Sequence, residues 1–571
     1  MTGLFDPGRI GPVEIPNRIV MPSMTTRTAD EAGFVTDDTV AYFAARARGG
    51  VGLVTVEMSA PEPAGRHRLR ELGIADDRFV PGLGRLVAAI HDAGARAAIQ
   101  LGHGGGHTRA DVCGEPPIAP SAVPHQVFER TMETVVPVAM TRARIGQTTR
   151  AFVDAALRAQ AAGFDCVEIH AAHGYLISQF LCPAENTRTD DYGGALENRA
   201  RFGLDILRRV KAAAPGLGVI FRLTVDDYFA GGMPAADGIR VAEWAAAAGA
   251  DAIHVSAGHY RSLPATMMIP PMAMPEATFL PLAAAVKARV AVPVIAVGRL
   301  GDPALAKAAV ADGKADFVAL GRSLLADPDW PDKVRRGVAP RRCLACLACI
   351  DGMRAGSRLH CIVNPTTGRE RAFAEARPPA GERIAVIGAG PAGLSYAELV
   401  AGANRVTVFE RAKVLGGALR LAARAPLFEN VAAAPASFAA YISALEAACR
   451  AKGVDIRTGT DPMRDPRLLD GFDRVVIATG AGYRFWLRPV VRALLVTGLA
   501  RLPGLRALLA RPRLRDWFYT RARAGRGAAL AGRAPPGQVV EVIGDARRAG
   551  KTGAAVRDAF EAALLRPAVR G

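Results

Sequence analysis

The N-terminal fold is clearest in the stretch VPVIAVGRLGDPALAKAAVADGKADFVALGR, residues 292–322. An apolar strand over 292–297 is followed by a helix over 303–312 and a second apolar strand over 317–320, and each strand runs into a Gly-Arg pair. Continuous apolar runs of this length suit parallel strands that helices cover from outside. The stretch therefore predicts a strand–helix–strand unit of an α/β fold.

The same alternation extends from residue 18 to about residue 337. Strands are predicted at residues 18–21, 51–56, 95–101, 165–169, 219–223, 252–255, 292–297 and 317–320. Helices are predicted at residues 37–48, 79–93, 148–162, 197–214, 237–248, 281–290 and 303–312. Eight β–α units predict a (β/α)8 TIM barrel over residues 1–340, whose active site lies in the loops that follow the strands.

Composition and charge narrow the functional class. The 571 residues are 50% hydrophobic, contain no apolar stretch long enough to span a bilayer, and begin without the pattern of a signal peptide. A cytoplasmic enzyme is therefore expected. The net charge of +18 comes mostly from Arg, much of it near the C-terminus. Because no RNA- or DNA-binding motif accompanies it, no nucleic-acid partner is expected.

Polar residues follow the predicted barrel strands. Gly298-Arg299 and Gly321-Arg322 end strands seven and eight, where barrels often bind phosphate. Gly lets backbone N–H groups approach a phosphate, and Arg is a bidentate charge partner. A rim salt bridge would explain one such pair, but two pairs favour a phosphate site. The other strand ends carry Gln100, His103, His170, His173, Tyr175, Arg222, His259 and Tyr260.

The segment IHAAHGYLISQFL, residues 169–181, carries residues suited to catalysis. His170 and His173 are spaced to polarise one carbonyl oxygen, and the Tyr175 hydroxyl could donate a proton to a carbanion. Zinc binding by the two histidines is disfavoured because no third ligand stands at an obvious spacing. A pair of core histidines is the plain alternative, which the clustering of polar residues at this strand end disfavours.

Several motifs together resemble the Old Yellow Enzyme family. They are residues 169–181, NTRTDDYGG at 186–194, ENR at 197–199, IQLGHGG at 99–105 and VGR at 297–299. The resemblance covers about residues 3–337 and implies that the barrel binds FMN. Its implied FMN contacts are Pro22, Ser23, Met24, Gln100, Arg222, Gly298, Arg299, Gly321 and Arg322. It also implies that His170 and His173 bind a substrate carbonyl and that Tyr175 donates the proton.

Four of the eight cysteines form a tight group, Cys343, Cys346, Cys349 and Cys361. In a cytosolic chain such a group indicates metal or cluster ligation rather than disulfides. Three thiolates at two-residue spacing plus a distant one suit a [4Fe–4S] cluster better than structural zinc, which usually uses two separated pairs. An iron–sulfur connector is therefore placed at residues 341–379. The long family branch that includes 2,4-dienoyl-CoA reductase and trimethylamine dehydrogenase carries such a cluster.

A dinucleotide-binding domain is predicted over residues 380–571. RIAVIGAGPAG at 383–393 is a strand, a glycine turn and a helix start, and Glu410 ends the next strand. This is the Rossmann pattern, with pyrophosphate at the helix N-terminus and a ribose hydroxyl on the acid. By the resemblance, the residues that bind FAD, or a related ADP-like nucleotide, are Gly388, Gly390, Gly393, Glu410, Gly417 and Asp545.

The region between Gly480 and Gly544 is too short for the second dinucleotide domain that NADPH-using relatives insert there. An NAD(P)H subdomain is therefore expected to be reduced or absent, which puts direct NAD(P)H use by this domain in doubt. Residues 484–526 instead contain eleven Arg among apolar residues such as Trp486. This segment indicates either helices with a solvated basic face or a docking surface for a membrane or an acidic electron-transfer partner.

These features predict a flavin- and iron–sulfur-dependent oxidoreductase with a small-molecule substrate. The main hypothesis is reduction of an activated C=C, as in enoate or 2,4-dienoyl-CoA reduction. The alternative is an amine dehydrogenase or N-demethylase that passes electrons to a partner protein. Against the alternative, Met24 stands where, by approximate motif alignment, trimethylamine dehydrogenase has its flavin-linking cysteine, and no acid is evident beside His259 and Tyr260.

Overall fold

The computed structural model describes residues 2–129, 131–262, 267–485 and 487–565. Trp486, which the sequence analysis singled out, lies outside them. The chain divides into two units. The first comprises Met1–Leu324, Pro328–Arg335 and Ile350–Leu359, and the second comprises Leu325–Asp327, Arg336–Cys349 and His360–Gly571.

Within the described part of the first unit, eight parallel strands close into a barrel, which confirms the predicted TIM fold. The strands are β1 (Ile19–Met21), β2 (Leu53–Ser59), β3 (Arg96–Leu101), β4 (Cys166–Ala171), β5 (Gly218–Thr224), β6 (Ala252–Ser256), β7 (Val294–Ala296) and β8 (Phe317–Ala319). The main helices between them are α1 (Asp37–Arg48), α2 (Val80–Asp92), α3 (Arg142–Ala161), α4 (Leu196–Ala213), α5 (Ala235–Ala247), α6 (Leu280–Lys287) and α7 (Pro303–Ala311). Helix α3 begins at Arg142 rather than at the predicted residue 148.

Local capping explains where these helices begin. The Thr36 side chain accepts a hydrogen bond from the Thr39 N–H, and Asp37 lies in the first turn of α1. Asp302 caps α7 in the same way, and Pro303 follows at the first helical position. Such residues satisfy the unpaired N–H groups of the first turn and complement the helix dipole.

Inward-facing side chains fill the barrel in layers. The layer nearest the amino ends of the strands is apolar. Ile10 and Ile15 of the hairpin Gly8–Ile10/Val13–Ile15 belong to the same buried cluster. Because side chains alternate between the faces of a strand, the residue two positions further along points inward again. On β3, β4, β5 and β6 the sequence steps from Ala98, Cys166, Ile220 and Ala252 to Gln100, Glu168, Arg222 and His254. The next layer on this side is therefore polar, although it is buried.

The described strands of the second unit include a five-stranded parallel sheet, which confirms the predicted Rossmann-like domain. Its strands are β9 (Arg383–Ile387), β10 (Arg405–Glu410), β11 (Asp455–Thr458), β12 (Arg474–Ile477) and, after the pair β13 (Ala481–Tyr483) and β14 (Arg523–Gly525), β15 (Val539–Val542). Their order is β11–β10–β9–β12–β15. The main helices are α8 (Pro391–Val400), α9 (Pro435–Ala451), α10 (Leu487–Val496), α11 (Pro503–Leu509), α12 (Pro512–Thr520) and α13 (Thr552–Leu564).

The antiparallel pair of β13 and β14 leads into and out of the short helices α10 to α12. The described residues between β12 and β15 form no second parallel sheet. None of the described helices is both long and apolar enough to cross a bilayer.

Candidate active site

A buried carboxylate, Glu168 on β4, connects the polar layer of the barrel. Gln100 Nε2 donates to Glu168 Oε1 at 2.7 Å, His254 Nδ1 lies 2.6 Å from Oε2, and Arg222 Nη1 lies 3.7 Å from Oε1. Although burial raises the pKa of Glu168, His254 and Arg222 hold it below its usual value, so the group is ionised. Sequence reasoning missed Glu168 and His254, although both are polar residues on the inward face of an apolar strand.

Gln100 and Arg222, the predicted flavin contacts, therefore share one acceptor. The Arg222 guanidinium is buried, and its Nε has no hydrogen-bond partner among the described residues. Leaving a buried donor unpaired costs about 1–3 kcal/mol. A polar ligand edge is consequently favoured here, and the N1–C2=O edge of a flavin has the required acceptors. The residues present fit FMN.

Arg299 follows β7 and Arg322 follows β8, and both side chains reach the same loop, residues 270–274. Each guanidinium donates to a backbone carbonyl of residues 270–274 at 2.8 Å. Gly298 has a φ of +112°, which residues with a side chain rarely adopt. The two predicted phosphate ligands thus come together where barrels often bind phosphate.

Pro22, Ser23 and Met24 follow β1, the neighbour of β8 in the barrel. A Cβ on Gly321 would lie 3.2 Å from Met24 Sδ and 3.4 Å from Pro22 Cγ, so these chain segments meet closely. The structure therefore brings the predicted FMN residues to one end of the barrel, the carboxyl end of its strands.

His170 lies in the last part of β4 and His173 lies two residues after the strand, and the two imidazoles have different surroundings. His170 Nδ1 is buried and has no hydrogen-bond partner among the described residues, whereas His173 Nε2 lies 2.7 Å from Ser256 Oγ. Burial and the charge of Arg222 lower the pKa of both imidazoles well below its usual value, so both are neutral near pH 7. His170 is the better placed of the two to bond a substrate oxygen.

The Tyr175 hydroxyl lies in a network of polar side chains. It is 2.9 Å from the Tyr260 hydroxyl and 3.2 Å from His67 Nε2, and His67 Nδ1 lies 3.0 Å from Glu71. Burial, with a further effect from Tyr260, raises the pKa of Tyr175 well above its usual value, so the phenol keeps its proton. His67 and Glu71 lie in the loop after β2, and no sequence motif singled them out.

An acid does lie beside His259, contrary to the expectation from the sequence. Glu185 Oε2 is 3.1 Å from His259 Nε2, and both side chains are buried. Burial lowers the pKa of His259, but the Glu185 carboxylate outweighs this and raises it. The two residues are 74 positions apart, so linear spacing gives no signal of the pair.

In the second unit, the thiols at 343, 346, 349 and 361 are all free. Ala345 and Leu347 have φ values of +50° and +60°, so the backbone curls between the first three cysteines. The Ala345 N–H donates to Cys343 Sγ at 3.3 Å, and the Cys346 thiol interacts electrostatically with the other three. Backbone N–H groups directed at neighbouring thiolates suit an iron–sulfur cluster, so these residues fit [4Fe–4S].

A cavity of 1790 Å³ opens at the carboxyl edge of the sheet in the second unit. The predicted nucleotide residues that line it are Gly388, Gly390, Glu410, Gly417 and Asp545. A Cβ on Gly393 would lie 2.0 Å from the Gly388 carbonyl oxygen, so the close approach of α8 to the turn requires glycine there. The cavity exceeds the roughly 300–1,000 Å³ of ordinary ligand pockets and has room for a dinucleotide.

Asp545 is already engaged by protein groups. Arg523 of β14 donates to its carboxylate, and the Gly550 N–H donates to Oδ1 at 3.0 Å. The basic segment therefore reaches the predicted nucleotide site. The apolar side chains that α10 and α12 contribute to the cavity wall include Leu487, Val491, Leu494, Leu514 and Phe518.

Comparison with known proteins places the chain in a family. Residues 3–340 match the NADH:flavin oxidoreductase / NADH oxidase family, and residues 386–438 match a NAD(P)-binding Rossmann-like domain. This chain belongs to the NADH:flavin oxidoreductase / NADH oxidase family. Membership makes it a flavin oxidoreductase of the Old Yellow Enzyme type and supports FMN as the cofactor of the barrel.

The family relatives cover most of the chain. NADH oxidase of Thermoanaerobacter brockii is 38% identical over 487 residues, which are 84% of this chain and 73% of that protein. Cinnamate reductase of Clostridium sporogenes is 31% identical over 507 residues, 84% of this chain and 74% of that protein. A solved structure of 2-naphthoyl-CoA reductase has a TM-score of 0.85 at 24% identity and covers 100% of both chains, which shows a shared fold.

Glu57 and Glu62 of the barrel unit should make the stability of the folded protein depend on pH in opposite directions. Burial raises the pKa of Glu57 from 4.5 to about 8. The folded protein therefore retains a proton that the unfolded chain loses, so this group reduces stability as pH rises from about 4.5 to about 8, by up to about 5 kcal/mol. We expect Glu57→Gln to raise Tm at pH 8.5 by at least about 3 °C, and by much less at pH 5.5.

Glu62→Gln is the matched control of opposite sign. Burial raises the pKa of Glu62, but His103 and Arg144 outweigh it and lower the pKa to about 2, so its stabilisation is present above about pH 4.5 and is lost toward pH 2. This variant should lower Tm at both pH values. Calorimetry that gives the same Tm shift for Glu57→Gln at pH 5.5 and 8.5 would contradict the assignment.

Proposed function

We propose that the protein reduces an activated carbon–carbon double bond, of the enoate or 2,4-dienoyl-CoA type, at the carboxyl end of the barrel. The observation that carries the proposal is the Tyr175 hydroxyl, a half-buried and protonated acid whose ring lies 5.1 Å from that of His170. Reduction of such a bond needs a hydride at one carbon and a proton at the other. FMN held by Gln100 and Arg222 would supply the hydride chemistry.

The protein's own residues would bind the substrate and move the proton. His170, neutral and with Nδ1 unpaired among the described residues, would donate to the substrate carbonyl and so polarise the conjugated double bond. Tyr175 would then protonate the α-carbon. The Tyr260 hydroxyl, which would donate to the phenolate, and the nearby positive charge of Arg68 would stabilise the phenolate until a proton returns. The name of one relative, cinnamate reductase, is consistent with this chemistry.

We also infer an iron–sulfur cluster and a bound nucleotide in the second unit. Cys343, Cys346, Cys349 and Cys361 would hold a [4Fe–4S] cluster, which is suited to one-electron transfer. The turn after β9 and the Glu410 carboxylate would hold FAD or a related ADP-like nucleotide in the 1790 Å³ cavity. Both assignments rest on the donor sets that the fold brings together.

An amine dehydrogenase or N-demethylase is the second candidate. The Glu185 carboxylate beside His259 favours it, because it supplies the acid that the sequence did not reveal next to His259. The lack of a second dinucleotide-binding sheet in the described residues also favours electron flow outward to a partner. Met24, where a flavin-linking cysteine would stand, counts against it.

The Tyr175→Phe variant tests the proton-donor role. We expect turnover with a 2-enoate or 2,4-dienoyl-CoA to fall about 10²- to 10⁴-fold, because a general acid typically contributes that much. Flavin reduction by dithionite and the KM for the alkene should change little. Tyr192→Phe, a tyrosine outside the network, is the control. Steady-state kinetics with unchanged turnover in Tyr175→Phe would reject the role.

A further inference from the structure

Three buried side chains near the Tyr175 network bring potential metal-ligand atoms together. These atoms of His107, His125 and Glu185 all lie within 4.8 Å of one another. Among the described residues, His107 Nε2, His125 Nε2 and Glu185 Oε1 have no hydrogen-bond partner, and all three residues are at most 5% exposed. Polar atoms are rarely left unpaired in a protein interior, which indicates a ligand that binds them.

Neighbouring hydrogen bonds leave the ligand atoms with available lone pairs. His107 Nδ1 lies 3.2 Å from the Gln126 carbonyl oxygen, so Nδ1 carries the proton and Nε2 does not. The Arg261 N–H donates to His259 Nδ1 at 3.1 Å, so His259 Nε2 carries a proton and donates it to Glu185 Oε2. Metal-bound imidazoles and carboxylates are supported by such outer hydrogen bonds.

One distance between ligand atoms and one separation between rings suit a single tetrahedral ion. Bonds of about 2.0–2.2 Å place two ligand atoms about 3.3–3.6 Å apart. His125 Nδ1 is 3.5 Å from Glu185 Oε1, which is long for a hydrogen bond but appropriate for two ligands of one ion. The rings of His107 and His125 are 4.8 Å apart at 78°, close to the separation of about 5 Å that two imidazoles on one ion adopt.

We infer that His107, His125 and Glu185 bind a divalent transition-metal ion, for which Zn²⁺ best matches two imidazoles and a carboxylate. Cys182, Glu185 and His259 form another close group, but both ring nitrogens of His259 are already engaged. The ion would join the glycine-rich loop 104–107 to the paired strands 125–129 and 131–135. It would position this side of the active site, since the Tyr260 ring lies 4.3 Å from that of His107.

The test measures zinc bound by the full-length protein. After equilibration with zinc sulfate and desalting, we expect about one zinc per chain by mass spectrometry, with iron counted separately so that a cluster does not interfere. Zinc should fall below about 0.1 per chain in His107→Ala and in the milder Glu185→Gln, which retains an acceptor for His259. His91→Gln, a histidine outside the site, is the control.

X-ray absorption at the zinc edge should then show only nitrogen and oxygen neighbours at about 2.0–2.2 Å. Wild-type protein that retains no zinc, or variants that retain as much as wild type, would overturn the inference. Neither result bears on alkene reduction, which is measured separately.

A second, independent observation concerns the basic segment 484–526. Half of the large apolar side chains that are exposed in the described part of the chain, seven of fourteen, lie in it. They are Phe485, Val490, Val496, Leu499, Leu502, Leu508 and Trp517. The segment has eleven Arg and a single acid, Asp516. Clustered exposed apolar side chains mark an interaction surface.

The chemistry of the segment identifies its partner. An anionic bilayer surface offers acyl chains for the apolar side chains and phosphate groups for the arginines, whereas an acidic protein surface satisfies only the arginines. Phe485 has a φ of +55°, and its ring is exposed and stacked on that of Trp517 at an interplanar angle of 14°. We propose that helices α10 to α12 dock on an anionic membrane surface. Phe485 and Trp517 also line the nucleotide cavity, so its mouth would face the lipid.

The docking proposal is tested by co-sedimentation of the full-length holoprotein with phosphatidylglycerol-containing vesicles at low salt. We expect binding to these vesicles and none to pure phosphatidylcholine. The pair Leu502→Asn/Leu508→Asn and the pair Arg506→Glu/Arg513→Glu should each weaken binding at least about tenfold. The controls are exposed residues of the barrel unit, Val138→Asn/Leu157→Asn and Arg150→Glu/Arg209→Glu.

Each control pair makes the same type of change as its test pair, apolar to amide or arginine to glutamate, so a loss confined to the test pairs assigns binding to the segment. Absence of binding to anionic vesicles would overturn the proposal. Retention on immobilised polyglutamate without vesicle binding would also overturn it and would identify an acidic protein as the partner instead.

Discussion

The carboxyl end of the barrel depends on the contacts that the buried Glu168 carboxylate makes with its neighbours. A charge buried at this depth is tolerated only where partners compensate it, and Gln100, His254 and Arg222 do so from three other strands of the barrel. The same contacts hold Gln100 and Arg222 in place for a flavin. Binding then requires little reorganisation, which is how supporting residues make a site precise.

The barrel could be predicted because its strands are apolar runs and its helices start at recognisable caps such as Thr36 and Asp302. Glu168 and His254 are polar residues at inward positions of two strands, so the polar layer could have been predicted from alternation along the strands. No motif marks them, because they lie inside the strands rather than at strand ends. His67 and Glu185 could not be predicted, because they come from loops far from Tyr175 and His259 in the sequence. Their roles follow from tertiary proximity, which no spacing encodes.

The second unit combines a familiar nucleotide turn with an unfamiliar insertion. Gly388 and Glu410 form part of the polar wall of the cavity, while α10 and α12 supply an apolar wall. Arg523 links the two parts by its contact with Asp545. The proposed hydride chemistry belongs to the barrel, whereas the second unit contributes the nucleotide cavity and the four cysteines.

The most direct measurement is the oxidative half-reaction of the barrel. Protein reduced anaerobically with dithionite is mixed with cinnamate or a 2,4-dienoyl-CoA, and flavin and alkene absorbance are followed together. Our account predicts that the oxidised flavin spectrum returns as the alkene absorbance is lost. Flavin that stays reduced with every unsaturated acid and thioester, in a protein whose oxidised flavin is bleached by an amine, would contradict it.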